Sequence, residues 1–320
     1  MQKIVKAVLM SSLALAASQA LAQEGAGKTI GVSFDHTSPF RIAQRAAVEA
    51  AIKKAGATIE FADANKDAQR QASQIDTMIS NGVSAVIAMP YDIEAAVGLA
   101  QSAIASGIPF ISMDQAPSDM EAVTYHIGGD PCADGKAAGE YFGKVSEGKP
   151  FKLLEIQGGL FNDNGLRRSS CLGEALKAYP NVTIVAQVPT EWSPEKALTG
   201  TENALQAHPD LKGIYTPWND ALQGVFSALK QRGLLVPKGD PKHIVQVSID
   251  GTPLACQAVR DGFLDLDIAT PITEMADLAV DAAVKASDDT ALVEKSKFLP
   301  GIPYGQDDTQ LMVEKVWGCK

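Results

Sequence analysis

Gln246–Pro253, reading QVSIDGTP, is the stretch whose interpretation decides the fold. Val245, Val247 and Ile249 make a short β-branched run that ends at Asp250-Gly251, and Thr252-Pro253 then opens a helix. That pattern is a buried strand carrying a carboxylate at its C-terminal end. In open α/β sheets, ligands bind beyond the carboxyl ends of the strands. Asp-Gly is also an ordinary turn dipeptide. What separates the two readings is whether the arrangement recurs.

It recurs along most of the chain. Strands are expected at Thr29–Phe34, Thr58–Ala62, Ser84–Met89, Ile108–Met113 and Val123–Ile127, with helices at Phe40–Ala55, Asp67–Ser80 and Ile93–Ser106 between them. Gly128-Gly129-Asp130-Pro131 interrupts the rhythm. It restarts with a helix at Ala133–Val145 and strands at Phe151–Ile156, Val182–Val188, Gly213–Thr216, His243–Ile249 and Leu264–Ala269. Helices at Gly165–Ala178, Pro194–Ala207, Asp220–Arg232, Leu254–Asp261 and Ile272–Ala286 complete the series. Alternation of this kind is the βαβ signature of a parallel, doubly wound sheet. Roughly ten such units exceed what one sheet usually holds, so two α/β lobes are expected. No Gly/Ser- or Pro-rich tether separates them, which implies short crossings.

The residues that follow the strands share a chemistry. Phe34 leads to Asp35, Ser38, Phe40 and Arg41; Met113 leads to Asp114-Gln115; Ile156 leads to Gln157-Gly158-Gly159, with Arg168 in the next helix. Val188 leads to Trp192, Thr216 to Trp218-Asn219-Asp220, Ile249 to Asp250, and Ala269 to Thr270. Carboxylates accept from hydroxyls, amides and guanidinium donate, and an indole face covers apolar C–H surface. A neutral polyhydroxylated molecule needs this combination, because each buried hydroxyl without a partner costs about 1–3 kcal/mol. Each residue also has a plainer reading. Asn219 or Asp220 could cap a helix, the tryptophans could be core, Arg168 could face solvent, and Asp35 and Asp114 could be turn residues. One carbohydrate-like cleft accounts for all of them together.

Composition narrows the classes. The chain has 320 residues, 46% hydrophobic, with mean hydropathy near zero. Lys3 and Lys6, an apolar Ala7–Ala17 and Ala20-Leu21-Ala22 make an export signal over residues 1–22, too short to span a membrane. Without it, 26 basic residues face 38 acidic ones, a net charge of −12, which argues against a nucleic-acid partner. Cys132, Cys171, Cys256 and Cys319 fit neither redox nor zinc spacing. In an oxidising compartment they suggest disulfides, with three pairings open.

Enzymatic motifs are missing. The chain has no G-x-S-x-G elbow, no phosphate loop and no G-x-G-x-x-G fingerprint. Its four histidines lie far apart with no metal-ligand spacing, so neither metal nor cofactor is expected. Paired carboxylates across a cleft could hydrolyse glycosides, but would leave the other strand-end residues unused.

The chain resembles the type I periplasmic binding proteins of ABC importers, in the ribose/galactose branch related to LacI-type ligand-binding domains. The likeness rests on Pro39–Arg41, Met113-Asp114, Asp130…Gly135-Lys136…Gly139, Gln157-Gly158 with Arg168, Asn219-Asp220 and Val247–Pro253. It implies aromatic ligand clamps at Phe40 and Trp192, hydroxyl-binding carboxylates at Asp114 and Asp250, a guanidinium donor at Arg168 and an amide at Asn219. Thr270 would make the hinge-side contact, and Ser38 and Arg41 the first-loop contacts. Gln115 stands where many members carry Arg, and Asp35 and Trp218 lack ribose-binder counterparts. The resemblance also implies crossings near Gly128–Asp130, Ala269–Pro271 and Phe298–Gly301. The lobes would then be 24–128 with 271–298, and 129–270 with 299–320, and all four cysteines would fall in the second. Cys132–Cys171 and Cys256–Cys319 is the pairing that follows. The implied protein is a monomeric periplasmic receptor that closes on a monosaccharide or polyol and delivers it to an inner-membrane permease. An autoinducer or chemoreceptor-coupled receptor of the same fold is the alternative.

Overall fold

The computed structural model of the protein describes residues 24–320, so the expected export signal lies outside the described residues. Among those residues no helix is long and apolar enough to cross a membrane.

Two six-stranded sheets organise the chain. The first holds β1 (Thr29–Phe34), β2 (Thr58–Asp63), β3 (Ala85–Ala88), β4 (Phe110–Met113), β5 (Tyr125–Gly129) and β11 (Ser296–Leu299), in the order β11-β5-β4-β3-β1-β2. The second holds β6 (Phe151–Gln157), β7 (Val182–Pro189), β8 (Gly213–Thr216), β9 (Val245–Asp250), β10 (Leu266–Ala269) and β12 (Ile302–Tyr304), in the order β12-β10-β9-β8-β6-β7. All pairings are parallel except β10–β12, which is antiparallel. Both orders reverse direction once, beside β1 and beside β6, and such reversals open the crevice where doubly wound sheets take ligands.

Sequence composition explains the burial. Ala85–Ala88 of β3 is buried at every residue, as is Gly213–Thr216 of β8, because helices cover both faces. The edge strand β7 is instead mostly half-buried or exposed, with only Val182 buried. Helices start where a side chain can satisfy their first N–H groups. Ser38 accepts from Arg41 N at the start of α1 (Pro39–Ala55), and Asp67 and Asp92 cap α2 (Ala68–Ser80) and α3 (Ile93–Ala105). Asp130 caps α4 (Pro131–Val145), Asn162 caps α5 (Asp163–Leu176), Ser193 caps α6 (Pro194–Ala207) and Thr252 caps α8 (Pro253–Arg260).

The helix expected at Asp220–Arg232 is divided: a 3₁₀ turn at Asn219–Ala221 precedes α7 (Leu222–Gln231). No side chain caps either piece, since Trp218 and Ala221 hold the cap positions, and the Asn219 amide turns inward to Ser248. After β10, α9 (Ile272–Ser287) returns to the first sheet and buries Met275, Ala276, Ala279 and Val280 in its core. β11 then pairs with β5 there, and three residues later β12 joins β10 in the second sheet. Beyond it, α10 (Thr309–Lys315) and a 3₁₀ turn at Trp317–Cys319 close the chain against α8. Alternation of βα units does not reveal this tail. Two disulfides, Cys132–Cys171 and Cys256–Cys319, tie α4 to α5 and α8 to the tail.

Candidate functional site

The strand ends of both sheets face a cavity of about 340 Å³. On the first sheet's side, β1 delivers Asp35, and the first turn of α1 adds Phe40 and Arg41. Arg41 is buried and forks onto Asp35, with Nε to Oδ1 and Nη2 to Oδ2 both at 2.9 Å. Its Nη1 donates to Gln44 Oε1 and to Asp114 Oδ2. Such bidentate pairing fixes position as well as charge. Burial would push the Asp35 carboxyl up, but Arg41 and His36 outweigh it and hold the group below the usual carboxylate range. The two carboxylates likewise hold the Arg41 guanidinium charged against the cost of its burial.

On the second sheet's side, Arg168 of α5 donates from Nη1 to the Pro217 carbonyl at 2.7 Å. Its Nη2 stands 3.6 Å from Asp250 Oδ1 and 3.7 Å from Asp134 Oδ2, and among the described residues its Nε has no partner. Asp250 accepts from Asn219 N at 3.1 Å. Burial pushes the Asp250 carboxyl up, against the pull of Arg168. Asp220 is also pushed up by burial, opposed by hydrogen bonding from Ser38 on the facing lobe.

The aromatic wall has its own support. Trp192 and Trp218 meet edge to face, centroids 5.1 Å apart at 87°, a favoured geometry for aromatic pairs. Gly158 lies so close beneath Trp192 that a Cβ would stand 2.3 Å from the ring. Gly158-Gly159 therefore serves as the bed of an indole. Asp114, Trp192 and Asp250 have φ of 68°, 60° and 127°. Non-glycine residues persist in such conformations only where the surroundings over-determine them, and they cluster at ligand sites.

Of the residues expected at the ligand, Asp35, Ser38, Phe40, Arg41, Asp114, Gln115, Arg168, Trp192 and Asp250 line this one cavity. Asn219 and Thr270 do not. The Asn219 amide is spent inside the second lobe, donating to Ser248 Oγ at 2.8 Å and Asp267 Oδ1 at 2.7 Å while Oδ1 accepts from Thr252 N at 2.8 Å. Thr270 is buried behind Asp250, donating its N–H to the Asp250 carbonyl at 3.1 Å. Both shape the loop that carries the carboxylate.

Other lining residues are not among those expected at the ligand: His36, Lys66, Asn164 and Gln223, together with Trp218 and Asp220, which follow β8 in the strand-end pattern. Asn164 sits in the first turn of α5 and reaches the opposite lobe, donating to Asp114 Oδ1 at 3.2 Å and, from its main chain, to Gln115 Oε1 at 3.3 Å. Lys66 spans the cleft the other way, to the Trp192 carbonyl at 3.4 Å. The cavity's four carboxylates face Arg41, Arg168 and Lys66. Such near-balanced charge, with aromatic walls and many hydrogen-bonding groups, suits an uncharged polar ligand better than an ion.

Two α/β lobes with a shared, polar, aromatic-walled cleft define a class of receptor that encloses a small molecule between hinged halves. Residues 30–290 match the family model described as the periplasmic binding protein domain, and the chain belongs to that family, the type I periplasmic sugar-binding proteins of ABC importers. It is similar to the galactofuranose-binding protein of Escherichia coli, 27% identical over 98% of this chain and 96% of that one. It is also similar to the ribose import binding protein of Bacillus subtilis, 25% identical over 80% of each chain. Among solved structures, that of a galactofuranose-binding protein superposes with a TM-score of 0.83 at 25% identity, covering 90% of this chain and 98% of the other. Myo-inositol-binding protein from Caulobacter has a TM-score of 0.83 at 22% identity over 93% and 99%, and so shares the fold.

Proposed function

We propose that this protein is the solute-binding component of an ABC importer, taking a monosaccharide or related polyol between its lobes by hinge closure. What carries the reading is the single cavity in which Asp35, Asp114, Asp250 and Arg168 stand with Phe40 and Trp192. Charged acceptors and donors bind hydroxyls more strongly than neutral groups do, and aromatic faces cover the apolar side of a sugar ring. The galactofuranose-binding protein and the ribose import binding protein to which the chain is similar support the same substrate class.

In this reading the lobes comprise residues 24–128 with 271–298 and residues 129–270 with 299–320, and the hinge is the three short crossings between them. Phe40 and Trp192 hold the ring, the carboxylates and Arg168 take its hydroxyls, and no bond is made or broken. The protein acts as a monomer in the periplasm, and its closed form is what an inner-membrane permease recognises.

A thermal-shift screen against pentoses, hexoses and polyols identifies the ligand, and isothermal titration of Asp250→Ala and Arg168→Ala tests the site. Each variant should bind at least tenfold more weakly, since each leaves a buried charged partner unmatched. Wild-type affinity in both would overturn the assignment, and turnover of aryl glycosides would overturn the receptor reading.

A further inference from the structure

The C-terminal turn Trp317–Cys319 lies outside the cavity but reaches the backbone of Asp250, one of the lining residues. Trp317 Nε1 donates to the main-chain carbonyl of Asp250 at 2.9 Å. That carbonyl also accepts from Thr270 N at 3.1 Å, so two donors from distant segments fix one peptide group. Asp250 needs such fixing: its φ of 127° is one that side-chain-bearing residues rarely adopt. A change there would swing the carboxylate that faces Arg168.

The turn is seated tightly enough to act as a buttress. Gly318 N donates to Gly251 O at 3.1 Å, and a Cβ on Gly318 would stand 2.3 Å from that oxygen. Only glycine lets the turn lie flat on the Gly251–Pro253 backbone. Cys319 is bonded to Cys256 of α8, Arg260 Nη2 donates to the Cys319 carbonyl at 3.1 Å, and Val316 is fully buried. On its other side the Trp317 ring meets Phe40 of the facing lobe, centroids 6.1 Å apart and tilted by 51°. One indole thus touches the residue that carries a ligand carboxylate and an aromatic that arrives from the opposite lobe.

We propose that the disulfide-anchored C-terminal turn is part of the binding apparatus, with Trp317 a positioning residue that orients Asp250 through its N–H and latches the closed lobes through Phe40. The proposal rests on the sugar-receptor reading. Trp317→Phe keeps a ring against Phe40 but removes the N–H; Trp317→Ala removes both. The probe is whichever of D-ribose, L-arabinose, D-galactose, D-allose, D-fructose, xylitol and myo-inositol binds the wild-type protein most tightly. A carboxylate of Asp250 left off its position should weaken Trp317→Phe about fivefold, the worth of one ligand hydrogen bond, with the melting temperature lowered by no more than about 2–4 °C. Loss of the aromatic contact should cost Trp317→Ala a further ~3–10-fold, seen by stopped flow mainly as faster dissociation. Wild-type affinity and dissociation rate in both variants would overturn the proposal. Should Trp317→Ala not fold, Trp317→Phe decides alone. If none of these sugars binds the wild-type protein, it is the receptor reading that has failed. Amide exchange at Gly251 and Thr252 then decides the positioning role: it should quicken in Trp317→Phe, and unchanged protection would overturn it.

Discussion

Asn164, in the first turn of α5, donates its side-chain amide to Asp114 Oδ1 at 3.2 Å, joining two residues that sit on opposite lobes and 50 positions apart. The same residue's N–H donates to Gln115 Oε1 at 3.3 Å. On the proposed hinge closure, a contact of this kind exists only when the lobes are together and so weights the equilibrium between open and closed forms.

Asn164→Ala should therefore weaken ligand binding about 2–10-fold, the range of one net hydrogen bond. Its melting temperature should stay within about 2 °C of wild type, because each lobe keeps its own core. Titration calorimetry and thermal denaturation check the pair of outcomes.

Arg41 holds two buried carboxylates, Asp35 and Asp114, and removing it leaves both uncompensated. Arg41→Ala should lose about 3–5 kcal/mol of stability, measured by urea unfolding at pH 7. Acid should expose the Asp35 contribution in the wild type. Asp35 titrates below its unfolded value, so its contribution is present above about pH 4 and is lost as pH falls through the lower, folded value. In Arg41→Ala this contribution should be gone at all pH values.

Asp134 behaves in the opposite sense. Burial raises its carboxyl to about 7, against Arg168 and the Gly301 N–H, with Asp130 and Asp267 adding to the rise. A raised carboxyl contributes stability that is complete below its unfolded pKa, near 4, and declines as pH climbs through 7. Asp134→Asn should remove that decline, which for one proton is at most about 1.4 kcal/mol per pH unit. Guanidinium unfolding at pH 4.5, 6 and 7.5 measures the slope; an equal slope in both proteins would refute the assignment.

Gly158→Ala places a methyl group 2.3 Å from the Trp192 ring. The indole must move, so binding should fall at least tenfold while the second sheet stays intact. Calorimetry together with far-UV circular dichroism reads both quantities.

Cys132 and Cys171 join α4 to α5 across 39 positions. Replacing both by serine should cost about 3–4 kcal/mol on chain-entropy grounds, with sugar affinity unchanged, since neither side chain lines the cavity. Denaturant titration and calorimetry on the same sample separate the two effects.

Alternation of apolar runs with amphipathic helices was enough to read two parallel-sheet lobes, because burial on both faces imposes that pattern on each strand. Strand-end carboxylates such as Asp114 and Asp250 were legible for a related reason: a polar residue ending a buried strand stands at the sheet's carboxyl edge. Asn219 shows where such reasoning stops. It follows β8 like a ligand residue, yet its amide is used by Ser248 and Asp267, and only packing determines which way a side chain at a strand end turns. Lys66, Asn164 and Trp317 left no periodic mark. Their partners lie 126, 50 and 67 positions away, and a buried or exposed face tells nothing of what it will meet across a cleft. Local hydropathy thus determined the elements and the edge where a ligand would bind. Tertiary closure alone decided which side chains share that edge, because those contacts arise from how two sheets and a returning tail come together.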